Sequence, residues 1–198
     1  VDDIAKTIGL DPRIGKLFLN AGPGYGGSCL PKDMKALINF ANTTGVTPTL
    51  LNAVENVNIK QLEQVISIIK QRLGKLASKR ITVLGTAFKP NTDDIRDSIA
   101  IELIKKLQKK KANIIIHDPK AMKNTERVFG DKINYAKTVV DALSKSQCVI
   151  IMTQWKQYEK LNDNQFKNMK KKFVIDCRRI LSDKQLDVDY FAIGLGKE

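Results

Sequence analysis

The residue best suited to covalent chemistry is Cys29, which follows a glycine-rich stretch, Gly22 to Gly27, and precedes Pro31. Proline is favoured in the first turn of a helix, so Cys29 is predicted to lie just ahead of a helix N-terminus. The positive end of the helix dipole and the ammonium group of Lys32 would both stabilise a thiolate there. Glycines in the preceding loop allow a ligand to approach the backbone closely. Cys29 is therefore a candidate nucleophile beside a loop that can hold a substrate.

The other two cysteines, Cys148 and Cys177, make an odd total of three without metal-ligand spacing. All three are interpreted as reduced thiols, and no metal site is predicted. Cys148 lies in an apolar stretch and is predicted to be buried and inert. The role of Cys177 stays open, because Arg178 and Arg179 follow it. The single histidine, His117, is predicted to be structural.

Gly22, Gly24 and Gly27 also match the G-x-G-x-x-G pattern of dinucleotide-binding loops. That fingerprint requires a preceding strand and a helix that starts within the motif. Here the preceding residues, 15–19, are too few and too irregular for such a strand, and Cys29 separates the glycines from the helix. The match is interpreted as coincidental; a flexible loop is the simplest alternative.

A second group of candidate binding residues follows the first predicted strand, residues 80–85. It contains Phe88, Lys89 and Arg96. Ligands of parallel sheets bind at the carboxyl ends of the strands, where these side chains could hold a base, a phosphate or a sugar. Arg178 follows a later strand and is predicted to lie on the same edge. The alternative is a polar loop with a helix cap.

Two regions of different pattern must position these residues. Residues 1–78 are predicted to be almost entirely helical, with helices near residues 3–8, from about residue 31, and over residues 48–73. The last helix would span ~40 Å at 1.5 Å per residue. Such a helix is too long for a small domain to cover, so it is predicted to be a spine between domains and a subunit interface.

Residues 79–198 alternate strands with helices. The predicted strands are residues 80–85, 113–117, 148–152 and 173–176, and the predicted helices begin near residues 98 and 138. Nearly continuous apolar strands between helices are typical of a parallel sheet covered on both faces. The predicted fold class is α/β: an all-helical N-terminal region with a long spine helix, then a Rossmann-like parallel-sheet domain.

The net charge of +13 would suit either a nucleic acid or a polyanionic small ligand. Much of the excess lies in lysine runs at residues 109–111 and 170–172, and aromatic content is only 6%, so no stacking platform for bases is visible. No nucleic-acid partner is predicted. No apolar stretch approaches the ~20 residues of a membrane span, and the acidic start lacks a signal peptide's basic region. A cytoplasmic protein without membrane contact is expected.

The run Gly24-Tyr25-Gly26-Gly27-Ser28-Cys29-Leu30-Pro31-Lys32-Asp33 resembles the active-site cysteine motif of the UDP-glucose/GDP-mannose dehydrogenase family. Residues 11–15 upstream and residues 88–96 downstream support the resemblance, as do Thr153-x-Trp155 and Asp176-x-Arg178. It covers essentially the whole chain in family order. It implies a central helical domain, residues 1–78, and a UDP-sugar-binding domain, residues 79–198, without the NAD-binding N-terminal domain.

The resemblance implies oxidation of the C6 alcohol of a nucleotide sugar to a carboxylate, with NAD as cofactor. Cys29 would be the nucleophile, forming a thiohemiacetal and then a thioester, and Asp33 would support hydrolysis. Cys29, Lys32 and Arg96 would contact NAD. The implied substrate-binding residues are Arg13, Asn20, Ala21, Gly22, Pro23, Gly24, Tyr25, Gly26, Phe88, Lys89 and Arg178. Arg13 would reach the substrate of a neighbouring subunit in a homodimer formed through residues 48–73.

The residue types at positions 24–26, Gly-Tyr-Gly, favour UDP-glucose as the substrate, and GDP-mannose or another UDP-sugar are the alternatives. A basic module that binds nucleotide or RNA without catalysis is a different class of interpretation, and it leaves the Cys29 motif without purpose. Cys177 and Ile99 stand where the family more often has glycine and proline. Because the NAD domain and the helix carrying the family's catalytic lysine and asparagine are absent, this chain alone is predicted to be inactive.

Overall fold

The computed structural model describes residues 1–195, which form eight α-helices and six strands. The helices are α1 (Asp2–Ile8), α2 (Leu30–Thr43), α3 (Thr49–Leu73), α4 (Ile99–Lys109), α5 (Met122–Phe129), α6 (Val139–Leu143), α7 (Lys156–Glu159) and α8 (Asp163–Phe166). The strands are β1 (Arg80–Leu84), β2 (Asn113–His117), β3 (Asn134–Tyr135), β4 (Cys148–Ile151), β5 (Phe173–Asp176) and β6 (Asp189–Ala192). This arrangement confirms the predicted α/β fold class.

All six strands lie parallel in one sheet, in the order β3-β2-β1-β4-β5-β6. The strand order reverses beside β1, which pairs with β2 on one side and β4 on the other. At such a switch point the loops after the two central strands leave in opposite directions, and a cleft opens at the carboxyl edge. The fold therefore offers a binding cleft beside the ends of β1 and β4.

Helices cover both faces of the sheet. One core packs the second half of α3 and the inner face of α4 against β1, β2 and β4. The other core packs α6, α7 and α8 against the opposite face. The central strands are buried on both faces, which explains their nearly continuous apolar sequences.

The long helix α3 runs for 25 residues and changes environment along its length. Its second half buries Leu62, Val65 and Ile69 in the core of the sheet domain. Its first half leaves Leu50 and Val57 exposed, at 76% and 57% of their surface. The core thus contains residues from both sides of the proposed boundary after residue 78, and the two-domain division stays a prediction. None of the helices in residues 1–195 is long and apolar enough to cross a membrane.

Several elements differ from the sequence-based expectation. Residues 9–29 contain no helix, so the N-terminal region is less helical than predicted. The prediction missed five short elements: α5, α7, α8, β3 and β6. Of these, α5 also carries few apolar residues. The helix α1 is held to the sheet domain by an ion pair in which Arg179 donates to Asp2, with Nη1 and Oδ1 2.6 Å apart.

Candidate substrate and thiol site

The loop after β1 is fixed by a buried carboxylate at the end of β2. Asp118 accepts hydrogen bonds from the amides of Thr86 and Ala87, at 2.7 and 3.0 Å. It also accepts from the indole of Trp155 at 3.3 Å. The hydroxyl of Thr153 donates to the carbonyl oxygen of Ala87 at 2.6 Å. The Thr153-x-Trp155 pattern thus anchors the loop that carries the candidate ligand-binding residues.

Phe88 and Lys89 extend from this anchored loop at the carboxyl edge of the sheet. Phe88 is half-buried, while Lys89 is exposed and its ammonium group lies 5.4 Å from the centre of the Phe88 ring. An exposed cation can contact the phosphate of a nucleotide, and an aromatic face beside it can contact the base. The anchored loop therefore presents two of the predicted substrate-binding residues at the edge of the sheet.

Arg178 lies on the same edge, directly after β5. Its Nε donates to the carbonyl oxygen of Met152 at 2.8 Å, which directs the rest of the guanidinium toward the N-terminal region. Burial lowers the pKa of Arg178, but a guanidinium in this range stays charged at neutral pH. A Cβ on Gly22 would come within 2.8 Å of its Nη1. Arg178 is thus a half-buried cation in contact with the loop that precedes Cys29.

The glycine loop, residues 22–27, packs directly on the sheet domain. The amide of Gly27 donates to the carbonyl oxygen of Asp97 at 3.3 Å. Gly27 has a φ of +94°, and a Cβ there would lie 2.6 Å from the Phe88 ring. Both the backbone conformation and the close approach therefore require glycine. A small cleft lined by Gly26, Phe88, Met152 and Arg178 lies between the loop and the sheet edge.

The other side of the glycine loop is held by α3, through contacts that we call the Tyr25 clasp. Asn58 accepts from the Tyr25 amide at 2.7 Å and donates to the Tyr25 carbonyl oxygen at 3.1 Å. The Tyr25 hydroxyl donates to Glu55 at 3.0 Å. Burial and the neighbouring Glu55 carboxylate raise the pKa of Tyr25, so the phenol stays protonated and able to donate. Gly24, at φ +114°, has no room for a side chain beside Asn58.

Cys29 lies at the N-cap of α2, as its position before Pro31 predicted, and its side chain is exposed. Lys32 and Asp33 in the first turn form an exposed ion pair at 3.1 Å. Hydrogen bonding to Asp94 raises the pKa of Arg96, and the nearby Cys29 sulfur acts in the same direction. Cys29 therefore lies on an accessible surface near Arg96, whose guanidinium pairs with Asp94.

The remaining cysteines have the opposite environment. Cys148 and Cys177 are both fully buried, and burial raises the pKa of each thiol, well above its ordinary value for Cys148. His117 is also buried, shares a hydrogen bond of 2.9 Å with the Tyr158 hydroxyl, and has a pKa lowered by burial. Cys29 is the only exposed thiol of the three.

The predicted site residues fall into two groups in the structure. Those of the glycine loop lie against Phe88 and Arg178, whereas Arg13 lies elsewhere. Arg13 is 88% exposed and pairs with Asp11 at 2.7 Å, and no described contact joins it to the cleft. Asn20 and Ala21 directly precede the loop, and the Asn20 side chain makes no hydrogen bond among residues 1–195. Within this part of the chain, no cluster of three potential metal ligands occurs.

Sequence reasoning missed the residues that support the site. Asn58 and Glu55 were interpreted only as part of an apolar spine, although asparagine disfavours a helix interior. That conflict between residue type and predicted element was the available signal. Asp118 ends a predicted strand, a position typical of a ribose-binding acid, but no glycine-rich phosphate loop precedes it. Its observed role could not be predicted, because it accepts from amides more than 30 positions away in the chain.

The parallel sheet, its carboxyl-edge cleft and the thiol at a helix N-terminus together define a nucleotide-binding α/β protein with a candidate cysteine nucleophile. The model of the UDP-glucose/GDP-mannose dehydrogenase family, UDP binding domain, matches residues 82–183. The model of the central domain of the same family matches residues 1–60. The chain belongs to the UDP-glucose/GDP-mannose dehydrogenase family.

Individual relatives agree with this assignment. The UDP-glucose 6-dehydrogenase AglM of Haloferax volcanii is 43% identical over 188 residues, which cover 95% of this chain and 43% of that protein. The UDP-glucose 6-dehydrogenase TuaD of Bacillus subtilis is 34% identical, and the matched residues cover 98% of this chain and 43% of that protein. A solved UDP-glucose dehydrogenase from Pyrobaculum islandicum superposes with a TM-score of 0.85 at 36% identity. The superposition covers 95% of this chain and 42% of that chain. The chain therefore spans less than half the length of these relatives.

Proposed function

We propose that this chain is the C-terminal portion of an NAD-dependent nucleotide-sugar 6-dehydrogenase that oxidises UDP-glucose to UDP-glucuronate. The observation that carries the proposal is the glycine loop. It contacts Phe88 and Arg178 at the sheet edge and leads directly to the exposed thiol of Cys29. The relatives of the preceding section, which are UDP-glucose 6-dehydrogenases, support the same function.

The types of side chain around this small cleft suit a nucleoside diphosphate joined to a sugar. Lys89 and Arg178 are the cations that would hold the diphosphate, and Phe88 offers a ring for the base. Residues 20–26 would surround the sugar, because glycine backbone in this loop leaves room for a ligand. Arg13 is proposed to contact the substrate of a second subunit, which is consistent with its exposure here.

Cys29 would hold the reacting C6 carbon covalently between the two oxidations. Addition of the thiolate to the C6 aldehyde forms a carbon–sulfur bond and a thiohemiacetal, and the oxidised form is a thioester. Water attacks the thioester carbon, breaks the carbon–sulfur bond, and releases the carboxylate with return of the thiol. Asp33, one turn along α2 from Cys29, is proposed to orient that water.

Bound NAD would supply the hydride acceptor. The exposed side chains of Lys32 and Arg96, on the same surface as Cys29, fit the phosphates of a dinucleotide held by another domain. The loop after β1 does not fit that role. The Thr86 and Ala87 amides, which a phosphate would need as donors, already donate to Asp118. This supports assigning the sheet domain to the UDP-sugar and the NAD site to another domain.

The binding preference of the isolated chain tests this proposal. We expect calorimetry to detect UDP-glucose binding in the micromolar range, roughly −8 kcal/mol, and no comparable binding of NAD⁺. Lys89→Gln should weaken UDP-glucose binding about tenfold, since one charged contact with a phosphate is lost. The matched control is Lys167→Gln, an exposed lysine beside the amino edge of the sheet, which should leave affinity unchanged.

Two results would contradict the proposal in different ways. NAD⁺ binding without any response to UDP-glucose would reverse the assignment of the sheet domain. Steady NADH production by the isolated chain would show that no second domain is required. Titration with GDP-mannose and with other UDP-sugars identifies the substrate among the alternatives.

We further propose that the two-domain chain, divided after residue 78, forms a homodimer through residues 48–73. Exposed apolar side chains on the first half of α3, including Leu50, Val54 and Val57, form an apolar surface that a second copy would cover. Val57→Glu should convert the dimer to a monomer in sedimentation equilibrium, because it buries a charge in the interface. Gln64→Glu, exposed on the same helix, is the control. A wild-type chain that stays monomeric at high concentration would contradict dimerisation.

A further inference from the structure

A groove between the second half of α3 and the end of α4 gathers four lysines. We call it the lysine groove. Its lining residues are Glu63, Ile66, Ser67, Lys70, Lys106, Lys109 and Lys110. Lys70 comes from α3, and the other three lysines come from the last turn of α4 and the residue that caps it. Two helices thus contribute ammonium groups to one concave surface.

The lysines are poorly compensated by acidic groups. Lys106 pairs with Glu63 at 3.7 Å, and this is the only ion pair that the four lysines make within residues 1–195. Lys70 and Lys110 line the groove from different helices. The proximity of Lys70, together with the charge of Lys106, lowers the pKa of Lys110. Two like charges held together in this way repel each other unless an anion lies between them.

The positions of the lysines at helix ends explain only part of this arrangement. Lysine in the last turn of a helix complements the negative end of the helix dipole, which accounts for Lys70, Lys106 and Lys109. That interaction is local to each helix end. It gives no reason for lysines of two different helices to line one concave surface.

The lysine groove is separate from the candidate substrate site. The end of α4 leads into β2 at Asn113, and the end of α3 leads into β1 at Arg80, so the groove lies toward the amino edge of the sheet. Phe88 and Arg178 lie at the carboxyl edge. A ligand in the groove would therefore bind without contact with the glycine loop or Cys29.

We propose that the lysine groove binds a small molecule that carries a chain of two or more phosphates. Compact ammonium groups from two helices suit a flexible polyanion, and the Ser67 hydroxyl adds a donor. Ile66 gives the groove an apolar floor. No aromatic side chain lines it, so it lacks the stacking surface that single-stranded nucleic acid would use. The site would add a polyphosphate-binding function to a part of the protein that has no role in the proposed reaction.

Calorimetry of this chain with inorganic triphosphate tests the proposal. The double variant Lys70→Gln/Lys110→Gln should bind triphosphate at least about tenfold more weakly than the wild type, and binding by the wild type should weaken steeply with salt. The matched control is the double variant Lys145→Gln/Lys167→Gln, which carries the same change in charge elsewhere on the surface. A second control, Lys89→Gln, removes a cation from the substrate site and should retain the groove's affinity.

Each result is decisive. Triphosphate binding that the Lys70→Gln/Lys110→Gln change leaves intact would overturn the proposal, as would binding that Lys89→Gln alone abolishes. UDP-glucose affinity should be equal in the wild type and the groove variant, so failure of the substrate proposal is measured separately. Comparing ATP with triphosphate then shows whether the ligand is a nucleotide or a free phosphate chain.

Discussion

Replacing Cys29 by serine in the complete enzyme is expected to reduce turnover by about 10³-fold or more and to leave UDP-glucose binding nearly unchanged. A serine hydroxyl is far less ionised than a thiol at neutral pH, so it cannot take over the attack on the C6 aldehyde. The proposed substrate contacts are those of the glycine loop, Lys89 and Arg178, none of which contacts the Cys29 sulfur by hydrogen bond. Steady-state kinetics and calorimetry measure the two effects separately.

The reactivity of the thiols provides an independent check on this chain. Cys29 should be alkylated by iodoacetamide at least about 100-fold faster than Cys148 or Cys177, because the latter two are fully buried with raised pKa values. Ser28→Ala, which changes the adjacent hydroxyl and keeps the thiol, is the control for Cys29→Ser. If Cys29 reacted no faster than Cys148, or if Cys29→Ser retained turnover, the nucleophile assignment would be wrong.

The sequence was sufficient for those parts of the fold whose signals are local. The strands β1, β2, β4 and β5 are buried on both faces, so each is a short apolar run that can be recognised on its own. The edge strands β3 and β6 are more polar and owe their extended conformation to a neighbouring strand. The short helix α7 depends similarly on packing against the sheet. The helix α8 did carry a local signal, the capping box formed by Asn162 and Gln165, but at four residues it is too short to show an apolar periodicity.

The residues of the candidate site also divide into those that a local sequence signal predicts and those that only the folded chain brings together. The cysteine motif is one continuous run of residues, and its residue types alone pointed to a reactive thiol. The residues after β1 form a second continuous run, and their types pointed to anion binding. The residues that hold these loops in place are far from them in the sequence. Tyr25 and Asn58 are 33 positions apart, and Thr86 and Asp118 are 32 apart, so the pairs are recognisable only once the chain is folded. A contact of Arg13 with a second subunit lies beyond a single chain altogether and stays a prediction.

Asn58→Ala is expected to weaken UDP-glucose binding by about tenfold or more, because it removes the two hydrogen bonds that hold the glycine loop on α3. The amide and carbonyl groups of Tyr25 would lose their partners in a half-buried position, at a cost of about 1–3 kcal/mol. The loop could recover those bonds with water only by moving away from α3, and this would displace the backbone that the sugar and diphosphate are proposed to contact. Calorimetry with UDP-glucose measures the loss.

The matched control for this prediction is Asn56→Ala, two positions earlier on the same helix, where the side chain is exposed and makes no described hydrogen bond. Both substitutions raise helix propensity by the same amount, about 0.5 kcal/mol, so the difference between them isolates the contacts with Tyr25. Tyr25→Phe removes only the hydrogen bond to Glu55 and should have a smaller effect, since the backbone of the loop stays held. Equal UDP-glucose affinity in Asn58→Ala and Asn56→Ala would mean that the Tyr25 clasp does not position the loop for binding, and the glycine loop would then owe its conformation to Gly27 and the sheet edge alone.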